Sequence, residues 1–286
     1  MGDLQGLAER LSILSEQDRP PVDRGLEWPD AFDPEAWAFS PELSVLAGHP
    51  ALDALDEAAR KRLAFFEAVN FFSLNINGEK ALIEGLARQC YRPETGDVTG
   101  YIHHFLEEES QHMRIFGAFC MKYAGKVYPD RKVVFPREHA IGEADFLFWT
   151  RVMLFEEIAD AYNVRMMNDA SLDPLVCGIH RMHHQDESRH LAFGRQMVRD
   201  LWQTHAPAWS DEVRAGVREY LVGYLVSIWK EYHNPAMFRD AGLSGAYDLS
   251  VSSFETDTTR ERRRALSRNA LNYLTRIGVF EEEPQL

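Results

Sequence analysis

The chain has 286 residues, 45% of them hydrophobic, enough for one large domain with a substantial core. Its 31 basic and 45 acidic residues leave a formal charge of −14, which argues against a nucleic-acid partner and supplies no polybasic surface for a membrane. Three cysteines (Cys90, Cys120, Cys177) without metal-type spacing argue against a disulfide framework and read as buried apolar residues of a reducing compartment, so a cytoplasmic location is expected.

Met1 to Gln17 mixes acidic and apolar residues without the basic-then-apolar order of a signal peptide. No apolar run approaches the roughly 20 residues of a membrane span. From Asp18 to Pro50 the chain carries Pro20, Pro21, Pro29, Pro34, Pro41 and Pro50, which predicts an irregular wrapping segment. Residues 1–50 are therefore separated from a single domain over 51–286. A helix is expected from Leu52 to about Tyr91, with Phe65, Phe66, Val69, Phe72, Ile76, Leu82, Ile83 and Leu86 at three-to-four spacing. Gly78 inside it costs about 1 kcal/mol; Pro93 and Gly96 close it.

A second helix is expected over Val98–Tyr123. Gly125–Gly142 reads as a loop or crossover with a β-like Lys132-Val133-Val134-Phe135 inside it. Further helices are expected over Glu143–Asp169, over Pro174–Thr204 with Pro174 in the first turn, and over Asp211–Tyr232 before Asn234-Pro235. The last lies near Thr258–Ile277, where Arg260, Arg262, Arg263 and Arg264 read as a solvated face. The class is all-α.

Two Glu-x-x-His pairs, Glu109/His112 and Glu187/His190, fall on the second and fourth of these helices. Residues three apart share a helical face, so each pair can hold one ion with a carboxylate oxygen and an imidazole nitrogen. One such pair arises readily by chance; two on separate helices, with unpaired glutamates on two more, match the ligand set of di-iron and di-manganese carboxylate bundles. The 78 positions between Glu109 and Glu187 leave room for a crossover and one helix, the connectivity of ferritin-like bundles. In the first helix Glu79 lies on the apolar stripe, where a carboxylate is costly unless paired or metal-bound. Glu67 among aromatics is the alternative, and Glu84 pairs with Lys80 or Arg88 on a polar face. In the third helix Glu156 and Glu157 are adjacent, and geometry alone barely separates them.

The fourth helix carries His180, His183, His184 and His190. His183 shares a stripe with Glu187 and His190 and is a candidate third ligand from that helix. His180 continues the stripe two turns from Glu187 and is assigned no more than a supporting place. Glu108, His184 and Asp186 are candidates to accept the second N–H of the ligand imidazoles. Carboxylates and imidazoles without thiolate suit iron or manganese rather than structural zinc.

At these residues the chain resembles the p-aminobenzoate N-oxygenase family of ferritin-like di-iron oxygenases. The likeness is carried by Asn70-Phe-Phe-Ser-Leu-Asn-Ile-Asn-Gly-Glu79, His104-Phe-Leu-Glu-Glu-Glu-Ser-Gln-His112, Phe155-Glu-Glu-Ile-Ala-Asp-Ala-Tyr162 and His183-His-Gln-Asp-Glu-Ser-Arg-His190, all within about residues 60–205. Its most specific mark is the histidine four positions before the last glutamate, a seventh ligand where most ferritin-like proteins have six. The resemblance implies a four-helix bundle with added N- and C-terminal helices. It implies Glu79, Glu109 and His112 mainly on one iron and Glu156, His183 and His190 mainly on the other, with Glu109 and Glu187 bridging. It selects Glu156 over Glu157, because the family's ligand glutamate precedes a tyrosine by six positions, here Tyr162. It further implies two iron ions, O2 as co-substrate, electrons from a separate reductase or small electron carrier, homodimers, and oxidation of a small amine, typically an arylamine, at nitrogen.

A C–H hydroxylase or desaturase with the same centre is the competing enzyme. Ferritin-like iron storage or peroxide detoxification is the competing class, although the cysteine pairs of a rubrerythrin are absent. A radical-generating subunit would need a tyrosine near the metals, for which Tyr101 and Tyr162 are candidates. Phe65, Phe66, Phe71, Phe72, Phe146, Phe148 and Trp149 either line an apolar substrate pocket or fill the core; core is the expectation for more than half of them.

Overall fold

The computed structural model describes residues 2–18, 25–130 and 138–286. The β-like run Lys132–Phe135 lies outside the described residues, as do Pro20 and Pro21. The helices are α1 Gly2–Gln17, α2 Pro50–Asp53, α3 Glu57–Gln89, α4 Thr99–Phe119, α5 Glu143–Met166, α6 Pro174–His205, α7 Asp211–Tyr232, α8 Pro235–Asp240, α9 Ala246–Phe254 and α10 Asp257–Arg276. Among the described residues there is no strand beyond a single bridge between Trp37 and Leu172.

Local chemistry sets the helix starts. Asp56 accepts from Ala59 N at 2.8 Å and Asp173 from Leu175 N at 2.9 Å, satisfying N–H groups that the first turn leaves open. Asp56 thus divides the single first helix expected from the periodicity into α2 and α3. At 33 residues, α3 is about 50 Å long. The closest helix pairs are α3 with α4 and α5 with α6, and together these four form the bundle. α1 lies across α4 and α6, while α7 and α10 pack on α5. The N-terminal helix is not announced by periodicity, since Leu4, Ala8 and Leu11 are its only fully buried apolar residues.

Gly78 and Gly85 are where α3 approaches α5. A Cβ at Gly78 would run into the ring of Phe155, and one at Gly85 into the ring of Phe148. Both glycines and both rings are seven positions apart, so the contacts repeat every two turns and run in opposite senses along the two helices. The sequence presents Gly78 as a tolerated defect, whereas the packing uses it.

The arginines of α10 are not simply a solvated face. Arg263 is buried, donates to Phe254 O at 2.6 Å and stacks 3.9 Å above the Phe254 ring. Arg262 donates to the carbonyls of Leu43 and Ser44 at 3.1 and 2.6 Å, tying the wrapping segment down. Charge alone conceals this role, because a guanidinium can be buried when backbone carbonyls take its donors. Of the aromatic residues considered for a pocket, Phe71, Phe72, Phe146 and Trp149 are fully buried core, and Phe65, Phe66 and Phe148 pack against it.

Candidate metal centre

One stripe from each bundle helix converges at mid-bundle. Glu79 comes from α3, Glu109 and His112 from α4, Glu156 from α5, and His183, Glu187 and His190 from α6. Their donor atoms form two groups: Glu79, His112 and His183 in one, and Glu109, Glu156, Glu187 and His190 in the other. Within each group the donors lie within 4.8 Å of one another, and all seven residues are buried. All seven sequence candidates therefore meet in one place.

Two carboxylates join the groups. Glu109 presents one oxygen to His112 Nδ1 at 3.2 Å and the other to His190 Nδ1 at 2.8 Å. Glu187 Oε1 lies 2.8 Å from His183 Nε2, 3.4 Å from His190 Nδ1 and 3.6 Å from His112 Nδ1. The partition differs at one residue from the one the resemblance implies. His183 stands with Glu79 and His112 rather than with Glu156 and His190. The cause is axial spacing: His183 and His190 are separated by seven residues, about 10 Å of helix rise, so they approach Glu187 from opposite ends.

The alternatives left open by the sequence are separated by their partners. Glu67 faces away from the cluster and accepts from Ser44 Oγ and Val45 N, both at 2.8 Å. Burial raises its carboxyl to about 7, although both hydrogen bonds oppose the shift. Glu157 pairs with Arg195, whose Nε donates at 2.7 Å. Glu84 pairs with Arg88 at 2.7 Å on the surface, as its spacing indicates.

The donor set fits hard cations. Both oxygens of Glu79 and of Glu187, one oxygen each of Glu109 and Glu156, and Nδ1 of His190 are buried without a well-formed hydrogen bond. Buried acceptors are seldom left so, and several aimed into one volume are the mark of a cation site. Burial, together with the neighbouring Glu109 and Glu187, holds the Glu79 and Glu156 carboxyls well above the ordinary range. Burial opposes ionisation of Glu187 too, but His183 and His190 outweigh it and hold that carboxyl well below the ordinary range. A cation held here would compete with protons for Glu79 and Glu156.

Around the donors, reciprocal bonds orient both Glu-x-x-His imidazoles. Glu108 of α4 accepts from His190 Nε2 at 2.8 Å, and Asp186 of α6 accepts from His112 Nε2 at 3.0 Å. Each carboxylate adjoins a cluster glutamate on its own helix and holds a histidine of the other, leaving both Nδ1 atoms facing the cluster. Arg189 Nη2 donates to Glu108 at 2.7 Å and to Asp186 at 2.6 Å, tying the two together. Burial works against the Glu108 carboxylate, but His190 and Arg189 hold it below its usual range.

Two supporting residues escaped the sequence reading. Arg189 had a readable signal, three positions after Asp186 and next to His190. Asn163, seven positions after Glu156 on the same stripe, contacts both His183 and His180. His184 does not support a cluster histidine; its Nδ1 meets Asp160 at 2.6 Å on a partly exposed face. His180 is buried behind His183, and burial, reinforced by His183, lowers it to about 3. A cleft of about 940 Å³ lined by Leu26, Trp28, Met182 and Gln185 ends on Asp186, at the rim of this arrangement. Among the described residues no helix is long and apolar enough to cross a membrane.

No curated protein matches the chain. Among solved structures it is similar to an R2-like ligand-binding oxidase variant with an anaerobically reconstituted Mn/Fe cofactor. That match has 14% identity and a TM-score of 0.50, covering 93% of this chain and 92% of that one. It is also similar to a variant with an aerobically reconstituted Mn/Fe cofactor (15% identity, TM-score 0.48, 96% and 93% covered). A third match is the oxidase without metal cofactor (15% identity, TM-score 0.47, 94% and 96% covered). The likeness at a TM-score of 0.50 is one of fold, the ferritin-like bundle. Residues 3–278 match the family described as P-aminobenzoate N-oxygenase AurF. With that match spanning nearly its whole length, the chain is an oxygenase and belongs to the p-aminobenzoate N-oxygenase family.

Proposed function

We propose that this enzyme holds two iron ions in the seven-residue cluster and uses O2 to oxygenate the nitrogen of a small, arylamine-like amine. The observation that carries the reading is the set of seven buried donors in two adjoining groups, within a chain of this family. Glu79, His112 and His183 would hold one ion, and Glu156 and His190 the other, with Glu109 and Glu187 shared. Such a pair of ions, once reduced, supplies the electrons that activate O2 for oxygen transfer.

The protein's own part is to hold and orient. Glu108 and Asp186 keep His190 and His112 in the Nδ1-donating orientation. Phe105, stacked 3.8 Å from the His190 ring, and Phe116, edge-on to His183, keep water from the imidazoles. Electrons arrive from a separate reductase or small electron carrier, and the working unit is a homodimer in the cytoplasm. Oxygen and nitrogen donors alone also accommodate manganese at one position, the metal pair carried by the structurally similar oxidases.

The test is a single turnover. Protein loaded with ferrous iron, reduced and exposed to O2 with a panel of arylamines should give hydroxylamine, nitroso or nitro products in proportion to the enzyme. Ring- or chain-hydroxylated or desaturated products would move the assignment to C–H oxidation. Accumulation of oxidised iron inside a many-subunit shell, without substrate oxidation, would move it to storage.

A further inference from the structure

We propose that Asn163 is the positioning residue that commits His183 to the metal centre, its side-chain amide fixing which ring nitrogen of that histidine is free to bind an ion. The inference rests on the dimetal reading above. Asn163, His183 and His180 are all buried and form a row. The Asn163 amide nitrogen lies 2.9 Å from His183 Nδ1, and its amide oxygen lies 2.8 Å from His180 Nδ1. At its other edge His183 Nε2 faces the cluster, 2.8 Å from Glu187 Oε1 and 3.9 Å from Glu79 Oε1.

A neutral imidazole carries one N–H, and a metal binds only the bare nitrogen. With an ion at His183 Nε2, the proton must therefore sit on Nδ1. An N–H cannot face an amide NH2, so Asn163 must turn its oxygen to His183 and its NH2 to His180. That turn exchanges two atoms of similar size and moves no other heavy atom. His180 Nδ1 then accepts, and its proton moves to Nε2, which has no hydrogen-bond partner beside the rings of Phe71 and Phe72. The opposite order, with NH2 toward His183, puts the proton on Nε2 and aims it at Glu187. His183 is then an ion-pair partner of Glu187 and no longer a ligand. The two orders are mutually exclusive, and a group at position 163 that offers only an acceptor to His183 would select the ligating one.

Asn163→Asp and Asn163→Leu separate this role from packing. Aspartate accepts from His183 Nδ1–H and has no donor when ionised; leucine has similar volume and neither. Histidine-15N-labelled proteins loaded with Zn2+, a diamagnetic ion, would be read by NMR for the His183 tautomer and by competition with a chelator for affinity. Wild type and Asn163→Asp should show the Nδ1–H form of His183 and affinities within a few-fold of each other. Asn163→Leu should lose the single tautomer and bind the weaker ion about 10- to 100-fold less tightly, as outer-sphere changes do. A leucine variant with wild-type tautomer and affinity overturns the proposal, as does an aspartate variant with the Nε2–H form. If the leucine variant does not fold, the aspartate tautomer decides. Wild-type protein that takes up no second ion would overturn the dimetal reading itself, and is recognised before any variant is compared.

Discussion

Glu187→Ala is expected to reduce metal uptake from about two ions per chain to one or none, and to abolish turnover. Its carboxylate reaches both donor groups, within 2.8 Å of His183 Nε2 and 3.4 Å of His190 Nδ1. No other carboxylate of the described cluster stands so close to both His183 and His190. Alanine leaves two histidines aimed at a gap, and Glu109 as the single carboxylate shared between the groups. Stability of the metal-free protein should also fall at neutral pH, because His183 and His190 hold Glu187 ionised and alanine leaves those buried imidazoles without that counter-charge. Metal analysis after desalting, set beside a thermal melt of the metal-free form, reads both effects. Full loading by a stably folded Glu187→Ala protein would remove Glu187 from the assignment.

Arg189→Leu should be the most destabilising substitution around the cluster, at about 3–5 kcal/mol, because it leaves buried carboxylates without their cation. Arg189 is 5% exposed and donates to both Glu108 and Asp186, the groups that orient His190 and His112. Freed of it, the two carboxylates turn or take up protons, and both histidines lose their fixed tautomer. Metal affinity should therefore fall along with the denaturation midpoint. Arg189→Lys should restore part of each, since one ammonium can serve Glu108 and Asp186 as Nη2 does but gives up the Nη1 bonds to Asp18 and the Gln185 carbonyl. Urea melts and a chelator competition would measure the pair. A leucine variant with wild-type affinity would show that Glu108 and Asp186 hold their histidines unaided.

Much of the bundle was legible because its helices carry strong punctuation. Asp211–Tyr232 begins after Ser210, which caps it by accepting from Val213 N, and stops before Asn234-Pro235, so pattern and structure agree at both ends. The cluster was legible because a carboxylate on an apolar stripe is hard to explain otherwise, as at Glu79. What stayed hidden depends on contacts between elements. The choice of Glu156 over Glu157 is made by Arg195 of α6, which takes Glu157 away. His184, one position after His183, faces a different side of the helix and finds Asp160. The value of Gly78 depends on Phe155 lying across it, and that of Arg263 on the carbonyl of Phe254. The donor group that His183 joins depends on where Glu79 and His112 end up, which no spacing within α6 determines.

The central claim is most directly tested by anomalous diffraction from crystals grown with ferrous iron and collected on both sides of the iron edge. Two peaks about 3–4 Å apart should lie between Glu109 and Glu187, one beside Glu79, His112 and His183 and the other beside Glu156 and His190. A single peak, or iron bound elsewhere with these carboxylates hydrogen-bonded to one another, would contradict it.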